Sequence, residues 1–424
     1  VIHHRDRERV IPGESVLVVS PEAAAAQAES AWVIAGNDTL PVTVVNDSTV
    51  ATAPLDTAYA AEVDLVLQTP GGLLDLGTVH QYGFVGAKTL DGFVGEPIEF
   101  PDGFTVPSVA VFDANGPAIV NVETGAVQRA PGPSPWVACF GGLGSYQTTG
   151  IGPSYRSDRG WVATCNGSFR LIPLPGDSIP VALNGRLVAE IGPSVYMMLS
   201  KYDLQVQKVD STGALTNTAI SNEGIIESHH VAISPRGDLA IPDAAPARGL
   251  TSATSYAIIL PGLPVFGPDG TVAYMLYGTT EHYARPAFSP TGDTIFVAAV
   301  PDLGANVSVL TLFAASDGTV LDSLVLPAEV ERVLAPPSSR YLYAMTMSVI
   351  PGSPLVRLLV IDRQRLILVS ELIASPDCLV GVDPTVLVAA PGHHAVFAVM
   401  GTAIPYYMSN QVTGPLNVCR FDVP

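Results

Sequence analysis

Three potential cations fall at one repeated position in this chain of 424 residues. His230 stands four residues before Ser234, Arg285 four before Ser289 and Arg332 four before Pro336, and a similar turn follows each time; Val386 fills the equivalent place before Ala390. Side chains held at one register of a repeat come together if the repeat closes on itself. Arginine offers a planar fork of donors that pairs bidentately with carboxylates, so the set supports binding of a small anionic ligand. The plainer reading pairs each cation with a neighbouring acid such as Glu281 or Glu331.

Other chemistry finds less support. The histidines include three adjacent pairs, His3-His4, His229-His230 and His393-His394. Neighbours on a strand point to opposite faces, so such a pair cannot readily chelate one ion, and no metal site is expected. The sequence contains neither GxSxG nor HExxH, and no catalytic residue is assigned. Gly142-Leu143-Gly144-Ser145-Tyr146-Gln147 lacks the closing glycine and the strand-to-helix setting of a nucleotide loop. Asp269-Gly270 and Asp317-Gly318 lack the alternating acids of a calcium loop and read as β-turns. No cofactor is implied.

The elements that must position the cations are strands. Val231-Ala232-Ile233-Ser234-Pro235-Arg236-Gly237-Asp238 lies over Ala287-Phe288-Ser289-Pro290-Thr291-Gly292-Asp293, with worn copies at Leu334-Ala335-Pro336-Pro337-Ser338-Ser339-Arg340 and Val388-Ala389-Ala390-Pro391-Gly392-His393-His394. Successive copies are 55, 47 and 54 residues apart. A period near 50 accommodates four short strands and their connections, the content of one propeller blade. Proline presets φ at the first corner of the turn and glycine accepts positive φ at the last.

The unit His229-His230-Val231-Ala232-Ile233-Ser234-Pro235-Arg236-Gly237-Asp238 resembles the repeat of YVTN-type, TolB-like, lactonase and quinoprotein-like β-propellers. That resemblance implies that the strand before the Ser-Pro turn is innermost, which would put His230, Arg285 and Arg332 at the upper mouth of the channel and His393-His394 at the opposite rim. Earlier blades are expected around Pro153 to Gly160 and Leu183 to Arg186, and Gly267-Pro268-Asp269-Gly270 is read as an outer hairpin turn within one blade. Residues 89–424 accommodate six to eight blades, with seven preferred.

Before them, residues 12–88 read as strand, turn, strand, with alternation at Val42-Thr43-Val44-Val45 and Val63-Asp64-Leu65-Val66-Leu67. An opening Pro12-Gly13, the Ala35-Gly36 turn and a closing Tyr82 resemble the IPT/TIG type of immunoglobulin-like domain, from which the run Ala23 to Ala26 departs as a candidate short helix. Residues 1–11 form an N-terminal extension. The expected fold is thus all-β: an Ig-like β-sandwich followed by a propeller of about seven four-stranded blades.

Composition narrows the partners. A net charge of −19 with 20 Lys+Arg argues against nucleic acid or anionic lipid. Charged residues are only 14%, against about a quarter in ordinary domains, as in secreted β-proteins coated in uncharged polar residues or in chains buried against other subunits. No apolar run is long enough for a transmembrane helix, so no direct membrane anchoring is expected. Of three possible pairings, Cys139–Cys165 and Cys378–Cys419 are expected because each pair lies within about one blade; disulfides imply an oxidising compartment, while buried free thiols are the alternative. The start at Val1 without a hydrophobic leader is read as a removed signal peptide. Sequons stand at Asn37, Asn46, Asn166 and Asn306. Together these point to a non-enzymatic extracytoplasmic recognition or scaffold protein in a periplasmic or cell-surface assembly, with other protein subunits as partners. The competing expectation is a lactonase-like hydrolase or small-anion binder using the channel mouth.

Overall fold

A computed structural model of the chain describes residues 9–10, 15, 17–19, 32–35, 38–53, 61–69, 72–99, 107–113, 116–129, 155–157, 160–165, 168–173, 179–180, 186–191, 194–198, 206–209, 215–218, 232–240, 263–267, 272–276, 282–284, 286–301, 307–337, 339–350, 353–378, 385–390, 392, 394–401 and 414–424. Among the described residues there is no helix; the chain is all-β.

From Gly83 onward the strands form consecutive antiparallel sets of four. The second set is Tyr155–Ser157, Gly160–Cys165, Ser168–Pro173 and Ile179–Pro180, and the third is Arg186–Ile191, Ser194–Met198, Val206–Val209 and Leu215–Thr218. Ala232–Ile233, Leu239–Ala240, Leu263–Phe266 and Val272–Leu276 make the fourth. The fifth has a broken inner strand, His282–Tyr283 and Ala287–Phe288, then Thr294–Val300, Ser308–Ala314 and Val320–Leu326. The sixth is Val330–Leu334, Tyr341–Ile350, Ser353–Asp362 and Ile367–Ile373.

One strand, Gly83–Glu99, serves two sets at once. Its later residues pair with Ser108–Asp113, which leads to Gly116–Asn121 and Val127–Arg129 and completes the first set. Its earlier residues pair with the last strand, Gly414–Asp422, and so become the fourth strand of the seventh set behind Thr385–Ala389 and Ala395–Gly401. Phe84 stands opposite Phe421, with their rings edge to face at 5.6 Å. The described strands therefore make a seven-bladed β-propeller closed by a strand from the N-terminal side. The closing pairs start at Gly83, opposite Asp422, so residues 83–88 lie in a propeller sheet, ahead of the start expected at residue 89.

Blade-on-blade packing explains the sequence pattern. Strands in the middle of a blade are covered on both faces, so they read as continuous apolar runs and not as alternation. Ile295 to Val300, Leu342 to Thr346 and Leu358 to Asp362 are buried without interruption. Each core cluster spans two neighbouring blades. Tyr343, Met345 and Leu358 of the sixth meet Leu387, Val396 and Phe421 of the seventh; Phe296 and Leu310 of the fifth meet Leu342 and Leu359 of the sixth. Val109 and Val120 of the first meet Phe397 and Val418 of the seventh, while Val265 and Leu276 of the fourth meet Ile295 and Val297 of the fifth. Each fully buried side chain of this size contributes about 2 kcal/mol relative to exposure.

The strands before Gly83 form one continuous ladder. Arg9–Val10 lies parallel to Gly72–Gln81, which pairs with Ala61–Thr69 and then Trp32–Ala35. Asp38–Asn46 pairs through its first half with Trp32–Ala35 and through its second half with Thr49–Thr52, beyond which lies Leu17–Val19. The Ala23 to Ala26 run lies outside the described residues.

Candidate functional site

The repeated Ser-Pro turn is a locked corner. Ser234 donates its hydroxyl to Asp238 at 2.8 Å, while its Oγ accepts the amides of Arg236 and Asp238. Ser289 repeats this with Asp293 at 2.6 Å, accepting from the Asp293 and Thr294 amides. The Ser289 and Thr291 hydroxyls are the first causes that hold the Asp293 carboxyl below the usual range. Gly237 and Gly292 take positive φ, 94° and 69°, and each amide donates to the carbonyl of the turn's serine. Adjacent corners also touch, because Arg236 donates through Nε and Nη2 to the Thr291 carbonyl at 3.4 and 3.3 Å. The Ser and Asp of this motif are therefore structural.

Of the three candidate cations, His230 and Arg285 lie outside the described residues. Arg332 lies on Val330–Leu334, which packs between Thr294–Val300, the second strand of the fifth blade, and Thr385–Ala389, the inner strand of the seventh. The pairing shifts register beside it, since Val330 faces Thr346 and Arg332 faces Met345, leaving Glu331 as the extra residue of a bulge. Arg332 is only 3% exposed; its Nη1 donates to the Glu331 carbonyl at 2.7 Å, and it has further partners in the fold. Val386 is buried. His229, His393 and the 142–147 loop lie outside the described residues, and His394 is exposed at the end of the fourth corner.

A second recurring corner joins the third and fourth strands of the blades. Asn121 Oδ1 accepts the amides of Glu123 and Thr124, Asp362 Oδ1 accepts those of Gln364 and Arg365, and Asp317 Oδ1 accepts that of Thr319. The fifth position of each is left-handed: Gly125 at φ 77°, Gly318 at 75° and Leu366 at 49°. Asp317-Gly318 ends a five-residue turn closed by the Gly318 amide on the Ala314 carbonyl at 2.9 Å, not the β-turn expected there, while Asp269-Gly270 lies outside the described residues; the strands flanking it pair, Phe266 opposite Val272. Tyr274 donates its hydroxyl to Ala315 in the Gly318 corner at 2.9 Å. Burial, reinforced by Asp238 and Asp317, pushes that hydroxyl up to about 12.

Arg186 opens the first strand of its blade, in which Ile191 stands opposite Ser194, while Leu183 to Gly185 lie outside the described residues. Within the Pro153 to Gly160 stretch Ser157 stands opposite Gly160, while Pro153, Ser154, Asp158 and Arg159 lie outside the described residues.

Cys378 and Cys419 form a disulfide, while Cys139 and the Cys165 side chain lie outside the described residues. Among the sequons, Asn46 accepts from both the amide and the hydroxyl of its own Ser48.

Sequence reasoning passed over the outer edge of the fifth blade. Val320–Leu326 ends its sheet, and Val320, Leu321 and Val325 are 59%, 56% and 65% exposed. In the sixth blade's outer strand only Ile367 is a large exposed aliphatic, and Glu371 is tied to Arg357 at 2.6 Å. The signal was available: Val320-Leu321 and Leu324-Val325-Leu326 place apolar residues on both faces of a strand that closes a blade.

No family model and no curated protein matches the chain. Among solved structures, the dihydro-heme d1 dehydrogenase NirN in complex with DHE is similar at 13% identity and TM-score 0.44, over 85% of this chain and 72% of that one. A complex of KlAtg21 with the coiled-coil of AgAtg16 gives 11% and 0.45, over 73% and 94%. The Dos1 propeller gives 8% and 0.43, over 80% and 93%. These likenesses are too loose to add to what the sheet order shows.

Proposed function

We propose that this is a non-enzymatic recognition or scaffold protein that works outside the cytoplasm as an accessory subunit of a larger cell-surface or periplasmic assembly. The observation that carries the reading is the fifth blade's edge: a disc cored blade against blade leaves Leu321 and Val325 in solvent on a strand that ends its sheet among the described residues. Large exposed apolar patches mark interaction surfaces. The 14% charged residues fit a chain that meets other subunits, and the buried Cys378–Cys419 bond fits an oxidising compartment.

The N-terminal strands form a second module of immunoglobulin-like type. Its support is the strand order. The seventh, sixth and third strands lie side by side, as G, F and C do in that fold, and the second, fifth and fourth lie side by side, as B, E and D do. The resemblance of the blades to the YVTN type belongs to the same reading.

The test is the size of the protein in a mild extract of its native envelope, by gel filtration with cross-linking. A mass well above the 44.2 kDa monomer supports the reading, and a free monomer that cross-links to nothing refutes it. The alternative, a lactonase-like or anion-binding channel, needs Arg285 and Arg332. It survives only if Arg285→Ala with Arg332→Ala abolishes lactone hydrolysis or small-anion binding in a protein that stays folded.

A further inference from the structure

We infer that the edge strand Val320–Leu326 receives an extended segment of a partner protein, added as a fifth strand to the fifth blade, and that this segment carries a lysine or arginine at its centre. The inference rests on the recognition reading above and names the partner's chemistry.

An edge strand exposes unpaired backbone groups that template another strand, and natural proteins usually blunt it with charge, proline or a bulge. Here the pairing shifts register between Leu312 and Phe313, leaving Leu321 as the extra residue of a bulge; Leu326 is buried and Leu324 half-buried, so 322, 324 and 326 face the fold, while the exposed Val320 stands opposite Phe313 on the other face. Leu321, Ser323 and Val325 share that face and continue an apolar surface begun by half-buried Val309 and Phe313 on the neighbouring strand, where Val309 stands opposite Val325. An added strand would find both a ladder and a stripe on which to pack.

Asp322 guards the middle of this edge. Its Oδ1 accepts the Ser323 amide at 2.8 Å, so that donor is taken until the carboxylate is drawn away. A cation on the incoming strand opposite this point would pair with Asp322 and release the amide for the ladder. Charge points the same way: residues 282–331 hold six acids, Asp293, Asp302, Asp317, Asp322, Glu329 and Glu331, against one arginine, Arg285. The flanking Arg332 is on the innermost strand, while Arg363 and Arg365 belong to the next blade's corner. A second copy is the weaker occupant, since each copy brings −19 and the same acidic blade to the contact.

The experiment uses the full chain and two labelled probes, the peptide acetyl-Thr-Val-Thr-Lys-Thr-Val-Thr-amide and its counterpart with Glu for Lys, read by fluorescence anisotropy at low salt. The Lys peptide should bind at least tenfold tighter than the Glu peptide. Leu321→Ser with Val325→Ser, on exposed positions and with circular dichroism unchanged, should weaken it at least tenfold, and Asp322→Ala should erase the Lys-over-Glu preference. Equal binding of the two peptides, binding of neither, or full binding by the double serine variant overturns the inference. So does a wild-type dimer that the double serine change dissolves, because the occupant is then a second copy. If the native assembly persists with the double serine variant, the edge inference falls and the scaffold reading stands; a monomer in the native extract removes the scaffold reading itself.

Discussion

Arg340 reaches a single oxygen of the buried Asp362 carboxylate with two donors, Nη2 at 2.6 Å and Nε at 3.0 Å. Arg340 ends the sixth blade's inner corner, at the place where Asp238 and Asp293 lock the corners of the fourth and fifth blades. Asp362 opens the outer corner of the same blade, and the Arg363 amide donates back to the Arg340 carbonyl at 3.0 Å. Where the repeat lost its aspartate, the two corners of one blade became tied to each other.

That tie has a pH signature. Burial pushes the Asp362 carboxyl up, but the hydrogen bond from Arg340, the amides of Arg365 and Gln364 and the Arg340 charge outweigh it and hold the group below the usual range. A depressed carboxylate stabilises the fold fully above its unfolded value of about 3.9, and the contribution is lost as pH falls through the folded value. Arg340→Ala is expected to cost about 1–2 kcal/mol at pH 7, the lower end for a broken pair because Arg340 is itself half exposed. Urea unfolding at pH 7 and below about pH 4 checks it: the gap between wild type and variant should narrow at the lower pH.

How much of this was legible beforehand follows from which residues the corners consume. Ser234-Pro235-Arg236-Gly237-Asp238 and Ser289 to Asp293 stood out because hydroxyl, carboxylate and left-handed glycine are each used by the corner itself. The sixth blade's copy was worn because its lock had moved to Arg340 and Asp362, a relation between residues 22 apart that no local pattern displays. The outer corner was equally periodic and was passed over: Asn121 to Gly125, Ala314 to Gly318 and Asp362 to Leu366 recur and would have supported the first blade. The double duty of Gly83–Glu99 could not be read at all, because its partner Gly414–Asp422 lies more than 300 residues away. At the candidate site, the register of Arg332 was legible and its burial was not; the exposed edge at Leu321 and Val325 depends on which strand ends the sheet, a property of the whole blade.

Two glycines in the same kind of corner should respond differently to alanine. Both Gly125 and Gly318 are left-handed, which costs an L-residue about 1 kcal/mol. At Gly125 an added Cβ would meet only Leu90 Cδ2 at 3.5 Å, an ordinary contact. At Gly318 it would meet Tyr274 Cδ2 at 2.7 Å and Leu276 Cδ2 at 2.9 Å, both in the outer strand of the preceding blade. Gly125→Ala should therefore cost about 1 kcal/mol and Gly318→Ala about 2–4 kcal/mol, the excess being overpacking. Equal losses in chemical denaturation would show that the corner is not pressed against Tyr274.

The Cys378–Cys419 bond joins the segment after the sixth blade's outer strand to the strand that closes the ring. Cys419 stands opposite Ala398 on one side and Ala87 on the other, and both cysteines are buried. A separation of 41 residues gives a chain-entropy contribution of about 4 kcal/mol. Cys378→Ala with Cys419→Ala should lower the unfolding free energy by about that amount, as measured by guanidinium titration. A loss below about 1 kcal/mol would mean that strand pairing alone holds the ring shut.

Leu366 sets two effects against each other in one residue. At φ 49° it occupies the left-handed position that glycine holds in the equivalent corners, a strain of about 1–2 kcal/mol for a leucine. Its side chain is 6% exposed in the core shared by the fifth and sixth blades, with Leu326, Leu359 and Ile361 in the same cluster. Removing a buried leucine side chain typically costs about 2–5 kcal/mol. Leu366→Gly relieves the strain but empties the site, so burial wins and the variant should be less stable by about 1–3 kcal/mol. Leu366→Ala gives up the same packing while keeping a Cβ in the left-handed region, and should be worse than glycine by about 1 kcal/mol. That order, glycine above alanine, reverses the usual ranking of the two in regular structure, and paired urea titrations read it directly; alanine above glycine would show that the backbone there relaxes out of the left-handed region.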